Sequence, residues 1–183
     1  MIDTTQTLQF RLANQDDASR IQQLVQSSFR THDSRPEWTG LLELASSFSI
    51  SVDEISANIG KPDNVFLMAL TSLGADGDLV ASIQVTKRGA DIGRLSRLAV
   101  NDRYQRGGVG RQVLLYAEDY CQRTWGIRKF SLNTLSTRPA LIAWYMRRGY
   151  QKTGETSPFP IESFAATQLP ADLCFIEFEK SLG

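Results

Sequence analysis

Histidine and cysteine, two residue types much used in metal binding and nucleophilic catalysis, are scarce in this 183-residue chain. The single histidine, His32, argues against a histidine-based metal site and against a Ser/His hydrolase. The two cysteines, Cys121 and Cys174, suit a reducing compartment in which both thiols stay free. The sequence therefore predicts a cytoplasmic protein without a bound metal ion.

Long apolar segments are also missing. No uncharged apolar run approaches the roughly 18–20 residues of a membrane-spanning helix. Residues 1–6 contain no basic region followed by an apolar core, so we expect no signal peptide. Hydrophobic residues at 42% and charged residues at 22% are ordinary for a globular protein and exclude a disordered chain. This length suits one domain with its own core, so we expect a single domain over residues 1–183.

Net charge is the third quantity that the chain lacks, because 20 basic residues balance 20 acidic ones. The charges are unevenly distributed. Residues 87–152 carry 14 basic and 4 acidic side chains, whereas residues 1–86 carry 5 and 11, and residues 153–183 carry 1 and 5. A central charge of +10 between flanks of −6 and −4 indicates an anionic ligand held by the middle of the chain. Solvated arginines that merely cluster there explain the pattern equally well.

Apolar periodicity divides the chain into strands and helices. It predicts strands at residues 8–12, 65–70, 79–87, 94–100, 129–133, 150–153 and 174–179. Helices are expected after Asn14, after Ser51, after the glycines at 107–110 and from Arg138, with Gly126 and Gly149 ending the last two. Strands dominate the first half and alternate with helices in the second, which predicts a mixed α/β sheet. Residues 157–170 are expected to form a long loop.

The most informative segment is a strand, a glycine-rich turn and a helix in direct succession. The turn reads Gln105-Arg106-Gly107-Gly108-Val109-Gly110-Arg111. Backbone amides at the start of a helix favour phosphate, and glycine lets the anion approach the main chain. A tight turn that needs glycine only for its dihedral angles is an equally good explanation. A Walker A loop would need a following Lys-Ser or Lys-Thr, and a Rossmann fingerprint would need glycine where Val113 stands.

Two motifs resemble signatures of the GNAT family of N-acetyltransferases. Gln105-Arg106-Gly107-Gly108-Val109-Gly110 matches the family's pyrophosphate loop, Q/R-x-x-G-x-G/A. Ala143-Trp144-Tyr145-Met146-Arg147-Arg148-Gly149-Tyr150 resembles its second signature, an aromatic-Tyr pair followed by three residues and Gly-Phe or Gly-Tyr. The order, separation and predicted elements of the two motifs agree with the family. The resemblance extends from the first strand to Glu179, although residues 31–62 and 154–172 match only in position.

The resemblance implies a fold and a cofactor. The family's sheet has six or seven mostly antiparallel strands, splayed between the fourth and the fifth, with about four flanking helices. Acetyl-CoA lies in that split, so the resemblance places its pantetheine arm along Leu98, Ala99 and Val100. The pyrophosphate would bind the residues of the loop and of the first helical turn: Gln105, Arg106, Gly107, Gly108, Val109, Gly110 and Arg111. The central basic block fits this polyanion independently of the family.

The implied reaction is direct transfer of the acetyl group to a primary amine in a ternary complex. An alkyl ammonium with a pKa of about 10.4 must lose a proton before it can attack a thioester. In the family, a backbone N–H of the fourth strand, here near Leu98, stabilises the oxyanion. Tyr145 matches the tyrosine usually assigned as proton donor to the departing thiolate. The alternative is a core tyrosine on the helix face shared with Leu141 and Trp144.

Two further cofactor contacts carry alternatives. Arg138 stands where many relatives have an asparagine that contacts CoA, and it either pairs with a phosphate or lies in solvent. Asn133, on the fifth strand, either faces the cofactor split or fills an ordinary polar position at a strand end. Cys121 is expected to be a buried apolar residue of the helix after the loop rather than a nucleophile.

The sequence does not identify the general base. Glu43 and Glu54 lie in the segment that usually helps to form the acceptor site, but solvated helix positions explain both. One of Ser96 and Arg97 should face the site from the fourth strand. Aromatic residues that could shape an acceptor pocket, or simply pack, are Trp38, Phe159 and Phe164.

The acceptor is expected to be a small amine. A protein N-terminus or lysine is the alternative, and a CoA-binding module without catalysis is the rival from another class. Nucleic-acid binding is not expected, because CoA accounts for the basic block. Homodimers are common in the family, and no segment of this chain decides that question.

Overall fold

The computed structural model describes residues 7–30, 44–45, 48–74, 76–105, 107–160 and 169–183. Within these residues the strands are β1 (Gln9–Leu12), β2 (Asn64–Leu70), β3 (Leu79–Arg88), β4 (Ile92–Val100), β5 (Lys129–Leu135), β6 (Gln151–Pro158) and β7 (Cys174–Ser181). The helices are α1 (Ala18–Arg30), α2 (Val52–Ile59), α3 (Val109–Trp125) and α4 (Pro139–Arg147). Short 3-10 turns lie at Gln15–Asp17 and Asp102–Tyr104. None of the described helices is long and apolar enough to cross a membrane.

One sheet of seven strands runs through these residues in the order β1-β2-β3-β4-β5-β7-β6. Only the β4–β5 pair is parallel, and the other neighbours are antiparallel. The β4–β5 register ends after three residue pairs, at Arg94 and Ser131, although β4 continues to Val100 and β5 to Leu135. The two strands therefore diverge beyond Arg94. This confirms the predicted mixed sheet and the predicted split between the fourth and fifth strands.

Each face of the sheet has its own core, because successive side chains of a strand point to opposite sides. On one face, Leu95, Phe130 and Phe178 pack in a cluster with residues of α3 and α4. On the other face, Phe66 and Met68 pack with residues of α1 and α2. Helix α3 thus lies on the opposite side of the sheet from α1 and α2, and the split opens to both sides.

Local signals set most helix boundaries as expected. The Ser51 hydroxyl accepts a hydrogen bond from the backbone N–H of Glu54 at 3.1 Å, which caps α2. The Asn14 side chain accepts from the N–H of Asp16 at 2.9 Å and starts the 3-10 turn that leads into α1. Helix α3 ends at Gly126, whose φ of 68° is the left-handed conformation that favours glycine.

Strand β6 is longer than the sequence predicts. It runs to Pro158, so Ser157 and Pro158 belong to a strand and not to the expected loop. It is an edge strand whose residues are nearly all polar or small and exposed, so it has no apolar alternation that could reveal it. Pairing with β7 defines the strand instead, with a bulge between Lys152 and Thr156.

Candidate active site

The glycine-rich turn leaves the start of α3 open. Gly108 precedes the helix with φ 74° and ψ 14°, and no side chain of the described residues caps it. A Cβ atom built on Gly108 would have no atom within 4 Å, so the space beside this backbone is free. The first turn of α3 contains no acidic residue. These amides, together with the helix dipole, form a surface suited to an anion.

Hydrogen bonds fix the approach to this turn at the end of β4. The Asn101 side chain accepts from the N–H of Arg103 at 3.0 Å. The Gln105 amide group donates to the carbonyl oxygen of Val100 at 3.5 Å, and the Tyr104 hydroxyl donates to Asp78 at 2.9 Å. These hydrogen bonds therefore fix the backbone at the start of the glycine-rich loop. Its predicted member Arg106 lies outside the described residues.

The open edge of β4 leads away from this loop along the split. Residues 95–100 have no pairing with β5 and span about 20 Å at 3.3–3.4 Å per residue. Leu98 and Val100 pack towards the core on the α3 side, and Ala99 is fully buried on the other side. An extended ligand can therefore hydrogen-bond to this edge while its phosphate end lies at the α3 turn.

A bulge interrupts β4 within the split. Ile83 of β3 faces two residues of β4, Arg97 and Leu98, and Arg97 has a φ of 50°, which non-glycine residues rarely adopt. The Arg97 guanidinium holds this turn by donating to Gln84 at 2.9 Å and to Glu54 of α2 at 2.5 Å. The bulge redirects the backbone of Leu98, the residue predicted to stabilise an oxyanion. The Arg97–Glu54 ion pair connects this bulge to α2.

Tyr145 lies on α4 beside the loop. Its ring is buried and makes edge contacts with Trp144 and Tyr150, at centroid distances of 5.0 and 5.9 Å. Trp144 in turn touches the first turn of α3, because a Cβ on Gly110 would lie 3.4 Å from the indole. Burial raises the pKa of Tyr145 to about 12, so the phenol is protonated at neutral pH. The residue is part of the core, and its hydroxyl keeps a proton that it could donate.

Arg138 and Asn133 take different positions around the split. Arg138 precedes α4 and is half-buried, and this burial lowers its pKa while Tyr145 acts in the opposite direction. Asn133 points away from α3, because the alternate residues Phe130 and Leu132 fill the core on the α3 side. Its side chain donates to Glu177 at 3.4 Å. The proposed cofactor contact of Asn133 stays a prediction.

Glu177 of β7 is a candidate site residue that the sequence did not reveal. Its carboxylate accepts from Arg94 at 2.8 Å, from Ser157 at 2.8 Å and from Asn133. Burial raises the pKa of this carboxyl, but these hydrogen bonds outweigh burial and hold the pKa below its usual value. The group lies in an open groove of about 500 Å³ at the closed end of the split, on the face opposite α3. The alternating pattern of β7 marks Glu177 only as one more outward-facing residue.

The remaining candidates do not join this arrangement. Cys121 is completely buried, and burial raises its pKa to about 12, which confirms the expectation of an unreactive core thiol. Phe159 packs on Phe175 at 5.7 Å. Within the described residues, no group of three or more His, Cys, Asp or Glu side chains could hold a metal ion. Candidates that lie outside the described residues are His32, Trp38, Glu43 and Phe164.

A family model described as the acetyltransferase (GNAT) family matches residues 22–150. The chain belongs to this family. The match includes the glycine-rich turn, the split strands and α4, the elements from which the site above is built. No curated protein sequence matches the chain significantly.

Solved GNAT structures share this fold over almost the whole chain. The PaiA N-acetyltransferase of Thermoplasma acidophilum, solved in complex with coenzyme A, is 17% identical, with a TM-score of 0.69 and coverage of 96% of this chain and 99% of that one. The ribosomal-protein-alanine N-acetyltransferase of Escherichia coli is also 17% identical, with a TM-score of 0.69 and coverage of 97% and 95%. A GNAT acetyltransferase of Streptococcus pneumoniae is 19% identical, with a TM-score of 0.64 and coverage of 97% and 100%. At these identities the similarity concerns the fold.

Proposed function

We propose that this chain binds acetyl-CoA in the split between β4 and β5 and transfers the acetyl group to a small primary amine. The observation that carries the proposal is the uncapped start of α3, which lies at one end of the open edge of β4. Membership of the GNAT family supports the same cofactor. So does the complex of the structurally similar PaiA enzyme with coenzyme A.

The site fits this cofactor along its length. The free space beside Gly108 admits a phosphate to the amides of the first turn of α3, without an acidic side chain to repel it. The edge of β4 from Leu98 to Val100 offers backbone groups to the amides of a pantetheine arm. In this proposal the N–H of Leu98, which follows the bulge at Arg97, stabilises the negative charge that develops on the thioester oxygen.

The acceptor amine enters from the opposite face of the sheet in this proposal. The groove around Glu177 has the volume of a small-molecule site and lies where the split closes. Arg94 pairs with Glu177, but Glu155 and Glu179 also line the groove, so its carboxylates outnumber its guanidinium groups and favour a cationic acceptor. The bound ammonium first loses a proton to solvent, and the neutral amine attacks the thioester carbon, so that a C–N bond forms and the C–S bond breaks. The Tyr145 hydroxyl donates its proton to the departing sulfur, and the proton released from the acetylated nitrogen restores the phenol through solvent.

A turnover assay with Tyr145→Phe tests the catalytic part of the proposal. Acetyl-CoA consumption is measured with a panel of small amines and a lysine-containing peptide. Loss of a proton donor should lower kcat by about 10²- to 10³-fold, with little change in KM for acetyl-CoA. Tyr150→Phe is the matched control, because Tyr150 packs against the same ring and its buried hydroxyl has no hydrogen-bond partner among the described residues.

The outcomes separate the alternatives. An unchanged kcat in Tyr145→Phe would remove the tyrosine from the mechanism and leave it a core residue. Acetylation of the peptide alone would replace the small acceptor by a protein. Binding of acetyl-CoA without acetylation of any amine would favour a non-catalytic CoA-binding module.

A further inference from the structure

A second, smaller groove lies between α3 and α4, on the side of the sheet opposite the groove around Glu177. It has a volume of about 170 Å³. Its polar lining consists of four cationic side chains and one acidic side chain: Arg111, Arg147, Arg148, Lys180 and Glu118. We call it the arginine groove. Arg111 also belongs to the predicted pyrophosphate contacts, whereas Arg147 and Arg148 lie within the second motif and have no predicted role.

The charges in this groove are not balanced. Lys180 is matched by Glu118, to which it donates two hydrogen bonds at 2.7 and 2.9 Å. In the described part of the chain, no carboxylate forms an ion pair with Arg111, Arg147 or Arg148. Three guanidinium groups therefore line a small volume without a counter-ion from the described residues. Their mutual repulsion is relieved when an anion binds between them.

Arg148 provides a second observation. Its guanidinium carbon lies 5.9 Å from the centre of the Trp144 ring, so the side chain is held over the indole. Its Nε atom is buried and has no hydrogen-bond partner among the described residues. A buried donor without a partner is costly, so an acceptor that reaches this atom would be stabilised.

The position of the groove identifies the anion. Trp144 touches the first turn of α3 at Gly110, and Arg147 and Arg148 follow Trp144 by about one helical turn. The groove therefore begins where the proposed pyrophosphate site ends. We propose that the arginine groove binds the 3′-phosphate of CoA and makes the protein selective for CoA over dephospho-CoA. This inference rests on the proposed function, since it needs the pyrophosphate at the start of α3.

The chemistry of a phosphate monoester suits this groove. Its second pKa is about 6, so it carries nearly two negative charges at neutral pH and three oxygen acceptors. A guanidinium group can donate two parallel hydrogen bonds to two oxygens of one phosphate. Hydrogen bonds between charged groups are also stronger than those between neutral groups. The 3′-phosphate is the one phosphate that CoA has and dephospho-CoA lacks. The arginines should therefore discriminate between two molecules that are otherwise identical.

Calorimetric binding of CoA and dephospho-CoA tests the proposal without knowledge of the acceptor. The wild type should bind CoA about 10- to 100-fold more tightly than dephospho-CoA at low salt and pH 7.5. Arg147→Gln and Arg148→Gln should each reduce this preference several-fold and leave the affinity for dephospho-CoA unchanged. Arg123→Gln is the matched control, because Arg123 is an exposed arginine of α3 that pairs with Asp119 outside the groove. The preference should also fall below pH 6, where the phosphate gains a proton.

Each outcome has one meaning. Equal affinity of the wild type for both ligands would refute the arginine groove as the phosphate site and leave the proposed acetyltransferase intact. A preference that survives both arginine substitutions would place the 3′-phosphate elsewhere. Failure of the wild type to bind either ligand would overturn the proposed function as well. Adenosine 3′,5′-bisphosphate should compete with CoA better than AMP does, and equal competition would also count against the groove.

Discussion

Replacing Gly108 by glutamate should abolish cofactor binding at a small cost in stability. The backbone at Gly108 is left-handed, with a φ of 74°, and a residue with a Cβ atom pays about 1–2 kcal/mol for that conformation. No atom lies within 4 Å of the new Cβ, so no steric clash adds to this cost. The carboxylate at the start of α3 recovers about 0.3–1 kcal/mol from the helix dipole. We expect the folded variant to lose about 1 kcal/mol.

Gly126→Glu provides a matched control at the other end of the same helix. Its φ is 68°, and a Cβ atom there also meets nothing within 4 Å. The backbone cost is therefore the same, but a carboxylate at the end of a helix is unfavourable by about 0.3–1 kcal/mol. Gly126→Glu should be the less stable variant of the two. A comparison of the pair separates loss of binding from loss of stability.

Thermal unfolding with and without acetyl-CoA measures both effects. Ligand at about 100 times its dissociation constant adds ~2.7 kcal/mol to the free energy of unfolding. For a chain of this size this corresponds to a rise in Tm on the order of 5–10 °C. Wild type and Gly126→Glu should show the full rise, and Gly108→Glu should show none. A full rise in Gly108→Glu would refute the reasoning, because the phosphate would then not approach this backbone.

Three further predictions follow from buried and ion-paired groups. Lys180→Met leaves the buried Glu118 carboxylate without its partner and should lower the free energy of unfolding by about 3–5 kcal/mol at pH 7.5 in denaturant unfolding. Because burial raises the pKa of Glu118, protonation towards pH 5 should restore part of this stability, and a pH-independent loss would contradict the assignment. In the native protein, a thiol reagent should modify the half-buried Cys174 while the fully buried Cys121 reacts only after unfolding; two rapid reactions would refute this. Because its pKa is lowered, ionised Glu177 stabilises the folded protein above the usual pKa of a glutamate, and this stability is lost as the pH falls through the lowered value. Wild type should therefore lose stability in acid more steeply than Glu177→Gln, and parallel acid profiles of the two proteins would contradict this.

The fold could be predicted wherever local chemistry decides the structure. The ends of α3 follow from Gly108 and Gly126, which both adopt left-handed conformations. The start of α2 follows from a serine that caps it. Strand β6 was underestimated because an exposed edge strand is specified by its pairing with β7, which leaves no pattern in its own residues.

The site could be predicted only in part, for the same reason. The loop at Gly108 is contiguous in the chain, so its glycines reveal it directly. The cluster at Glu177 combines side chains from β4, β5, β6 and β7. Its member Arg94 is 83 positions away from Glu177 in the sequence. The arginine groove likewise combines side chains of α3 with side chains at the end of α4, which are distant in the sequence. Such groups become neighbours only after the sheet has formed, and one sequence carries no record of that proximity.

The split in the sheet weakens the connection between β4 and β5, and the Glu177 cluster helps to hold these strands together. Only three residue pairs join β4 to β5, so backbone hydrogen bonds alone fix the angle between these strands weakly. On the α3 side, Leu95 and Phe130 pack in one core across the junction. On the other side the described residues place no buried apolar cluster over the junction, and Arg94 reaches across β5 to Glu177 on β7 instead. A polar clamp holds the strands together there and at the same time leaves a charged groove open to solvent. In the proposed reaction, the acceptor therefore meets the same residues that fix the angle of the split.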